Sequence, residues 1–372
     1  MTAFTRTDKS KLNKWWQTID RYLLFCSLLL LSIGTVLVFS SGTIAAEDDN
    51  LDSYYYVFKH VTFVILSVFI IFTISLIDCK ATQKICLYIF PLTLIALVAT
   101  ILIGYESGGA RRWISLGFVG VQPVEFVKPL LIIFFAYILS SKEKFSTSIS
   151  LLLSFLTVLL VVSILWLQPD IGQTLLILAL WIMMLFLRGV HIRYILSALG
   201  MAILAGLYAY QKYDHVSKRI KDFLSGGMEQ TGQAARAIES FTQGGVFGVG
   251  AGKGEVKLRL PEPHTDYIFS VAGEEFGIFS CVIIVVLFAF LVMRGVTRAL
   301  NIETYSLQLA SIGLVFWIGF QAFINMAVNL SLLPPKGITL PFISYGGSSL
   351  LGVAFAMGCI LSFTRKGINK KG

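Results

Sequence analysis

The chain has 372 residues, of which 56% are hydrophobic and 14% are charged, whereas soluble proteins carry about 25% charged residues. Together with a mean hydropathy of +0.79, this composition excludes a soluble enzyme and makes the lipid bilayer the solvent of most of the chain. The net charge of +9 is no evidence for a nucleic-acid partner, because basic residues of membrane proteins mainly record topology.

Ten apolar runs are long enough to cross a bilayer core of about 30 Å, so we predict an all-α polytopic membrane protein with about ten transmembrane helices. The runs lie near residues 21–42, 57–77, 84–103, 123–140, 148–167, 170–187, 192–210, 267–293, 304–330 and 343–364. The first run exceeds the apolar core of a signal peptide, about 7–15 residues. We therefore expect it to be retained as a helix. Pro169 separates the fifth and sixth runs.

Lysine and arginine indicate the orientation, because they accumulate in short cytoplasmic loops. Those on the side of the N-terminus are Lys9, Lys11, Lys14, Arg21, Lys80, Lys84, Lys142, Lys144, Arg188, Arg193, Arg294, Arg298, Arg365, Lys366, Lys370 and Lys371. We predict both termini inside, with a cytoplasmic leader (1–20), a transmembrane domain (21–364) and a cytoplasmic basic tail (365–372). A long external loop, about 211–266, joins helices 7 and 8, and its polar end favours a functional role.

Two pairs of charged residues lie on the outer side, where topology does not explain them. Arg111 and Arg112 suit a phosphate group, because a guanidinium group can form paired hydrogen bonds with it; snorkelling to lipid headgroups is the alternative. Glu125 and Lys128 open the fourth helix with i, i+3 spacing, so a purely structural ion pair is a serious alternative to ligand binding. Lys128 lies about one to two turns below the outer surface.

A further acidic cluster surrounds the start of the eighth helix. Asp266 lies at its outer mouth, where it suits chemistry or merely caps the helix, and His264 with Asp266 could be two ligands of a divalent ion. At about 100° per residue, Glu274 lies about 80° from Asp266 and Glu275 about opposite. At least one of these glutamates must therefore contact other helices and find a partner there.

The last helix is preceded by a run rich in proline, serine and glycine, residues 340–349. Ser344 and the paired glycines suit a cradle for a lipid headgroup, and close helix packing is the alternative. All of these clusters fall on the outer side. They predict one cavity with basic and acidic groups beneath the external loop.

The five cysteines form no C-x-x-C pair and lie within or beside apolar runs. This setting favours small core side chains over disulfides or a zinc site.

Five motifs together resemble the SEDS family, and the resemblance runs from the first helix to the last. They are Gly109-Ala110-Arg111-Arg112-Trp113, Gln122-Pro123-x-Glu125-x-x-Lys128, Gln168-Pro169-Asp170-x-Gly172, Leu260-Pro261-Glu262-x-His264-Thr265-Asp266 and Pro341-Phe342-Ile343-Ser344-Tyr345-Gly346-Gly347-Ser348-Ser349. The glycine-containing segments 248–252 and 273–277 are more similar to the cell-division branch than to the elongation branch. Tyr267 and Val124 are mild departures that remove no charged group.

The resemblance implies a peptidoglycan glycosyltransferase that polymerises lipid II on the outer face of the cytoplasmic membrane. It implies Asp266 as the acid-base residue, which would take a proton from the acceptor sugar hydroxyl. The cations that would stabilise the departing lipid pyrophosphate are Arg111, Arg112 and Lys128. The remaining candidate substrate-binding residues are Glu125, His264, Glu274, Glu275 and Ser344. The family also suggests a divalent cation, Mg²⁺ or Mn²⁺, whose ligands the sequence does not indicate.

The implied partners are a class B penicillin-binding transpeptidase, other membrane proteins of the division machinery and membrane lipid, at the division septum. Two other functions stay open at this point. Ten helices with charges inside the membrane also suit a lipid II flippase or transporter, although we find no clear repeat and the charges favour the outer side. A non-catalytic scaffold for the transpeptidase is the third possibility.

Overall fold

Long α-helices occupy all ten apolar runs, and shorter helices lie at residues 11–18 and 233–244. The computed structural model describes residues 11–107, 110–115, 117, 119–140, 146–213, 217–218, 221, 232–334 and 337–365. Its helices are α1 (Lys11–Thr18), α2 (Arg21–Asp48), α3 (Tyr55–Leu76), α4 (Cys79–Ile103), α5 (Val124–Ser140), α6 (Thr147–Leu167), α7 (Ile171–Arg188), α8 (Ile192–Lys212), α9 (Gln233–Gly244), α10 (Ile268–Ala299), α11 (Tyr305–Asn329) and α12 (Gly347–Phe363). Among the described residues, eight helices are long and apolar enough to cross a membrane. The polytopic all-α fold is thereby confirmed.

Side-chain caps set the starts of α2 and α4, and hydropathy alone misplaces the start of α4. The run near 84–103 is helical from Cys79, because the Asp78 carboxylate accepts a hydrogen bond from the Lys80 amide at 3.1 Å. Asp20 caps α2 through the Leu23 amide, and this helix begins at Arg21 as its apolar run predicts. Such caps satisfy amide groups that have no partner within the helix.

Helices α5, α11 and α12 form the centre of the bundle. α11 packs against α5 and α10, and α12 packs against α3 and α5. Trp317, in the middle of α11, is completely buried, whereas α8 buries only Ala198 and Ala209. Polar side chains on α5 and α11 therefore lie in the protein interior and not against lipid. All five cysteines are buried and free of disulfides, as their apolar setting predicted.

A small antiparallel sheet replaces part of the expected outer loop after α4. It has the strand order β1 (Tyr105–Ser107), β2 (Ala110–Ser115) and β3 (Gly120–Val121). Arg111 and Arg112 are consecutive residues of β2, and successive side chains of a strand point to opposite faces. The two arginines therefore do not present one joint surface.

The helix ends that topology assigns to the cytoplasm meet at one end of the bundle. Asp20 forms ion pairs with Arg294 at 2.8 Å and with Arg298 at 3.0 Å, and Arg365 donates to the Leu76 carbonyl at 3.3 Å. These contacts join the start of α2 to the end of α10, and the end of α12 to the end of α3. The arrangement agrees with the predicted alternation of the helices, while the orientation with both termini inside stays a prediction.

Some of the sequence predictions fall outside the described residues. They concern leader residues 1–10, the motif residues 108–109, the basic residues Lys142 and Lys144, the loop positions 214–216, 219–220 and 222–231, and the tail residues 366–372. The division of the chain into leader, transmembrane domain and tail stays a prediction.

The external connection returns to α10 at a break in that helix. Gly277 has φ 73° and ψ −177° inside α10, a left-handed conformation that favours glycine. Two amides of the segment 245–250 donate to the carbonyl oxygens of Glu274 and Glu275, both at 3.0 Å, and the Ile278 amide donates back to the segment at 2.9 Å. This part of the connection is therefore fixed to the bundle by backbone hydrogen bonds.

Candidate functional site

Asp266 is half-buried and directly precedes the cap of α10. Tyr267 occupies the N-cap position, and its side chain makes no capping hydrogen bond; the two alternatives for Asp266, chemistry and capping, stay predictions. The Asp266 carbonyl oxygen accepts hydrogen bonds from the side-chain amides of Asn325 and Asn329, both at 2.9 Å. The peptide that carries the candidate base is thus held through its backbone.

A row of amide side chains on α11 supports this peptide and the segment before α12. Asn329 accepts from the Ser270 amide at 3.0 Å and from the Ser270 hydroxyl at 2.8 Å. Asn325 donates to the Ile338 carbonyl at 2.7 Å, and Gln321 donates to the Thr339 carbonyl at 3.2 Å. Our sequence analysis missed this row, although its signal is visible as amides at i, i+4 and i+8 in an apolar helix. Buried polar groups of this kind need hydrogen-bond partners.

The segment before α12 contacts the segment that ends at Asp266. The Ser344 hydroxyl donates to the Thr265 carbonyl at 2.6 Å and accepts from the Leu340 amide at 2.8 Å. The Tyr345 amide donates to the His264 carbonyl at 2.9 Å. Two of the clusters expected from the sequence, the one at Asp266 and the one before α12, therefore lie side by side. Ser344 joins them by a hydrogen bond. Its role in holding a headgroup stays a prediction.

His264 is buried in an aromatic cluster beside this junction. Its ring centroid lies 4.6 Å from that of Tyr56 and 5.2 Å from that of Tyr345. Within the described part of the chain, its Nδ1 atom has no hydrogen-bond partner. Burial lowers the pKa of His264 to about 4, while the charge of Asp49 acts in the opposite direction. The imidazole is therefore neutral near pH 7.

Glu125 and Lys128 form the ion pair that their spacing allows. Lys128 Nζ lies 2.8 Å from Glu125 Oε1, and both side chains are almost completely buried. The Gln173 amide donates to the same oxygen at 3.3 Å, and Lys128 Nζ lies 5.6 Å from the ring centroid of Trp317. The geometry agrees with the structural alternative, and substrate binding by either residue stays a prediction.

Arg112 joins the small sheet to the start of α7. Its Nε lies 3.3 Å from Asp170 Oδ2, and its Nη2 donates to the Pro169 carbonyl at 3.1 Å. Burial raises the pKa of Asp170 above its usual value, and the charge of Arg112 opposes this. About 30% of the Arg112 side chain remains exposed. Arg111, on the opposite face of β2, is exposed, and the binding of a ligand by either arginine stays a prediction.

Glu274 and Glu275 are both buried and both bind the external connection. Glu274 accepts from the amides of Val256 at 2.7 Å and Lys257 at 2.9 Å. Glu275 forms an ion pair with Lys257, whose Nζ also donates to the Ser40 hydroxyl at 2.7 Å. The expectation that at least one glutamate finds a partner on another helix is met by Glu275, which contacts Ser40 of α2, whereas Glu274 binds the external connection. Their use in substrate binding stays a prediction.

In the described ranges, no group of three His, Cys, Asp or Glu side chains converges as a metal site would require. The pair His264 and Asp266 therefore gains no third ligand of these types. A divalent cation stays a prediction.

Comparisons with known proteins identify the family of this fold. A family model described as "Cell cycle protein", covering FtsW, RodA and SpoVE, matches residues 20–368. The chain is 37% identical over 366 residues to the probable peptidoglycan glycosyltransferase FtsW of Caulobacter vibrioides, covering 98% of this chain and 94% of that protein. It is 33% identical over 365 residues to stage V sporulation protein E of Bacillus subtilis, covering 93% and 97% of the two chains.

Solved structures indicate the same family. A structure describing how a peptidoglycan synthase complex coordinates polymerization and crosslinking matches with a TM-score of 0.78 and 27% identity, covering 94% of this chain and 98% of that chain. The rod shape determining protein RodA of Thermus thermophilus matches with a TM-score of 0.71 and 25% identity, covering 94% and 97%. The chain therefore belongs to the SEDS family, the polytopic membrane proteins that include FtsW, RodA and SpoVE.

Proposed function

We propose that this chain is the peptidoglycan glycosyltransferase of the division septum, which polymerises lipid II on the outer face of the cytoplasmic membrane with Asp266 as general base. Glycosyltransfer in cell wall synthesis is the activity for which its curated FtsW relatives are named. The observation that carries the proposal is the junction at Asp266. There the amide row of α11 and the segment before α12 bind the backbone carbonyls of Asp266 and Thr265, and thereby hold the peptide that carries one half-buried carboxylate.

The proposed reaction transfers a glycan from its lipid carrier to an acceptor sugar. The 4-hydroxyl oxygen of the acceptor N-acetylglucosamine attacks the anomeric carbon of the donor, the bond from that carbon to the pyrophosphate oxygen breaks, and Asp266 takes the hydroxyl proton. Undecaprenyl diphosphate leaves with the bonding electron pair. The Asn325 and Asn329 hydrogen bonds hold the peptide of the base in place during this transfer.

The pyrophosphate needs cationic partners as its charge develops. Arg112 is proposed for this role because its side chain is partly exposed and remains anchored through Asp170. Lys128 contributes only where its ion pair with Glu125 opens, because the pair is buried as it stands. Arg111 supplies a weaker, solvent-screened charge from the other face of β2.

A polymerisation assay tests the assignment of Asp266. Purified protein, reconstituted with its transpeptidase partner, is given lipid II, and glycan chains are measured for the wild type, Asp266→Ala and Asp266→Asn. We expect both variants to lose about 10²–10⁴-fold in rate, the usual contribution of a general base. Glu255→Ala is the matched control, because Glu255 is an exposed carboxylate on the same external connection. Retained glycan synthesis by Asp266→Ala would refute the assignment of Asp266 as the general base.

The same preparation separates the other possible functions. Translocation of lipid II across vesicles without polymerisation by the wild type would favour a flippase. Normal division with Asp266→Asn in cells would favour a scaffold. A class B penicillin-binding transpeptidase is proposed as the partner because the matched synthase complex is described as coordinating polymerization with crosslinking. Co-purification of the two proteins and a fluorescent fusion at the septum test the partner and the location.

A further inference from the structure

The external connection contains an uncharged stretch with exposed apolar side chains. Between Glu239 and Lys253 the sequence has no charged residue. Within this stretch, the tip of the connection (residues 245–250) leaves 59% of Val246 and 86% of Phe247 exposed. Single exposed apolar side chains are common on protein surfaces, but neighbouring ones in a stretch without charge indicate contact with another apolar phase.

Backbone contacts fix the tip to α10 at the break in that helix. The Ile278 amide donates to the Gly245 carbonyl at 2.9 Å, and the Phe279 amide donates to the Val246 carbonyl at 3.4 Å. A Cβ atom on Gly277 would lie 2.2 Å from the Val246 carbonyl oxygen, so the two backbones are in direct contact. The tip therefore lies at the same level of the bundle as the break.

Two polar layers on α2 and α10 show where this level lies in a bilayer. At the inner end, Asp20 forms its ion pair with Arg294, and at the outer end Ser40 contacts the buried pair of Lys257 and Glu275. At 1.5 Å per residue, Ser40 lies about 30 Å from Asp20 along α2. Glu275 lies about 28 Å from Arg294 along α10. Because the hydrocarbon core of a bilayer is about 30 Å thick, the two polar layers mark its boundaries.

The tip lies just inside the outer boundary. Ile278 follows Glu275 by about 4.5 Å toward the membrane centre. Ile278 is 58% exposed and Phe279 is 63% exposed, so lipid, and not water, covers this face of α10. Because the tip is hydrogen-bonded to these two residues, its apolar side chains border the same surface. Backbone in hydrocarbon needs partners within the protein, and the amides of residues 248–250 all donate to carbonyl groups.

We propose that the tip of the external connection is inserted into the outer leaflet, with Val246 and Phe247 in contact with lipid acyl chains. Acyl chains are favoured over a protein partner because the α10 residues that bind the tip already belong to a lipid-facing surface. Burial of the apolar side chains stabilises this contact without a specific headgroup. The connection is then held twice, by the bilayer at its tip and by the Lys257–Glu275 ion pair on its return. This contact is independent of the proposed function.

Fluorescence quenching locates the tip. Phe247→Cys is labelled with a nitrobenzoxadiazole group, and the full-length protein is reconstituted alone in vesicles of phosphatidylethanolamine and phosphatidylglycerol. Quenching by iodide in water is compared with quenching by lipids that carry a nitroxide in an acyl chain. Phe279→Cys is the lipid-facing reference, and Glu255→Cys, an exposed position on the same connection, is the water-facing control. The five natural cysteines are buried, so the label reacts with the introduced thiol.

The two quenchers give opposite results for a tip in lipid and a tip in water. We expect the label on Phe247→Cys to be quenched by the nitroxide lipid as strongly as that on Phe279→Cys and to be protected from iodide. Iodide quenching as strong as that of Glu255→Cys, without quenching by the lipid, would overturn the proposal. Protection that develops only after the proposed transpeptidase partner is added would assign the tip to a protein contact and equally refute insertion into lipid.

Hydrogen exchange in nanodiscs tests the same contact without a label. Because 86% of Phe247 is exposed, its replacement removes little contact within the protein. Phe247→Asp should nevertheless accelerate amide exchange of residues 245–250 by roughly tenfold or more, since transfer of the phenyl ring from hydrocarbon to water costs at least about 1.4 kcal/mol. Phe247→Leu, the matched apolar control, should exchange nearly as slowly as the wild type. Equal exchange rates for the two variants in nanodiscs would refute the proposal.

Discussion

Because Lys128 belongs to a buried ion pair on α5, the substitution Lys128→Met distinguishes a structural role of this lysine from contact with the substrate. Lys128 Nζ lies 2.8 Å from Glu125 Oε1, with 1% and 5% of the two side chains exposed. Removing the ammonium group leaves the Glu125 carboxylate buried, with the Gln173 amide at 3.3 Å as a neutral donor. Loss of one partner of a buried pair costs about 3–5 kcal/mol. We expect the free energy of unfolding of Lys128→Met to fall by about this amount.

A double-mutant cycle isolates the pair. Thermal or denaturant unfolding in detergent is measured for Lys128→Met, Glu125→Leu and the double variant. The double variant should recover most of the lost stability, because replacing a buried pair by apolar residues is often neutral. The coupling between the two sites should then amount to several kcal/mol, above the range of about 0.5–3 kcal/mol that is usual for contacting residues.

Stability and activity together distinguish the two roles of Lys128. A single Lys128→Met variant as stable as the wild type would refute the reasoning from burial, and a raised KM for lipid II in that variant would favour direct contact with the pyrophosphate. A double variant that is folded and polymerises at the wild-type rate would assign the pair to structure alone.

Three further substitutions have defined outcomes. Asn329→Leu removes a donor to the Asp266 carbonyl, so we expect a loss of about 2–3 kcal/mol and slower polymerisation; unchanged unfolding and activity would contradict this. Burial lowers the pKa of His264 from 6.5 to about 4. Between these two pH values the unfolded chain therefore binds more protons than the folded one. The free energy of unfolding should fall as the pH drops from about 6.5 to about 4, by about 1.4 kcal/mol per pH unit. His264→Phe should flatten the plot of the free energy of unfolding against pH over this range. Identical plots for the variant and the wild type would refute the assignment of this pH dependence to His264. Gly277→Ala should lower the unfolding temperature strongly, because its Cβ would lie 2.2 Å from a backbone oxygen at a φ of +73°; Gly206→Ala, with open space around it, is the control.

The helices could be predicted because their signal is long and local. Each of the ten apolar runs became a helix, since about 20 apolar residues in lipid leave the backbone few other conformations. The ends were less predictable. α12 begins at Gly347 and not at 343, because Ser344 and Tyr345 bond to the segment before Asp266. That contact depends on a partner about 80 residues away in sequence, which hydropathy does not register.

The partners of the charged residues were likewise predictable only where the two residues are close in sequence. The pair of Glu125 and Lys128 was visible in the sequence, because its spacing lies within one helical turn. The partner of Arg112 was not visible, because Arg112 lies on β2 whereas Asp170 is the N-cap of α7. Strand β2, in which Arg111 and Arg112 point to opposite faces, is also too short for a hydrophobic pattern to reveal. Local geometry was thus predictable, and the pairing between elements required the fold.

Asp266 lies outside the helix that carries the two glutamates, because α10 begins at Ile268. Glu274 and Glu275 bind the external connection through Lys257 and its neighbour. Of these three carboxylates, Asp266 is the one held at the junction with α11. Glycoside hydrolases place two carboxyl groups across the bond they cleave, whereas the single base proposed here, Asp266, suits transfer of a glycan to a sugar hydroxyl.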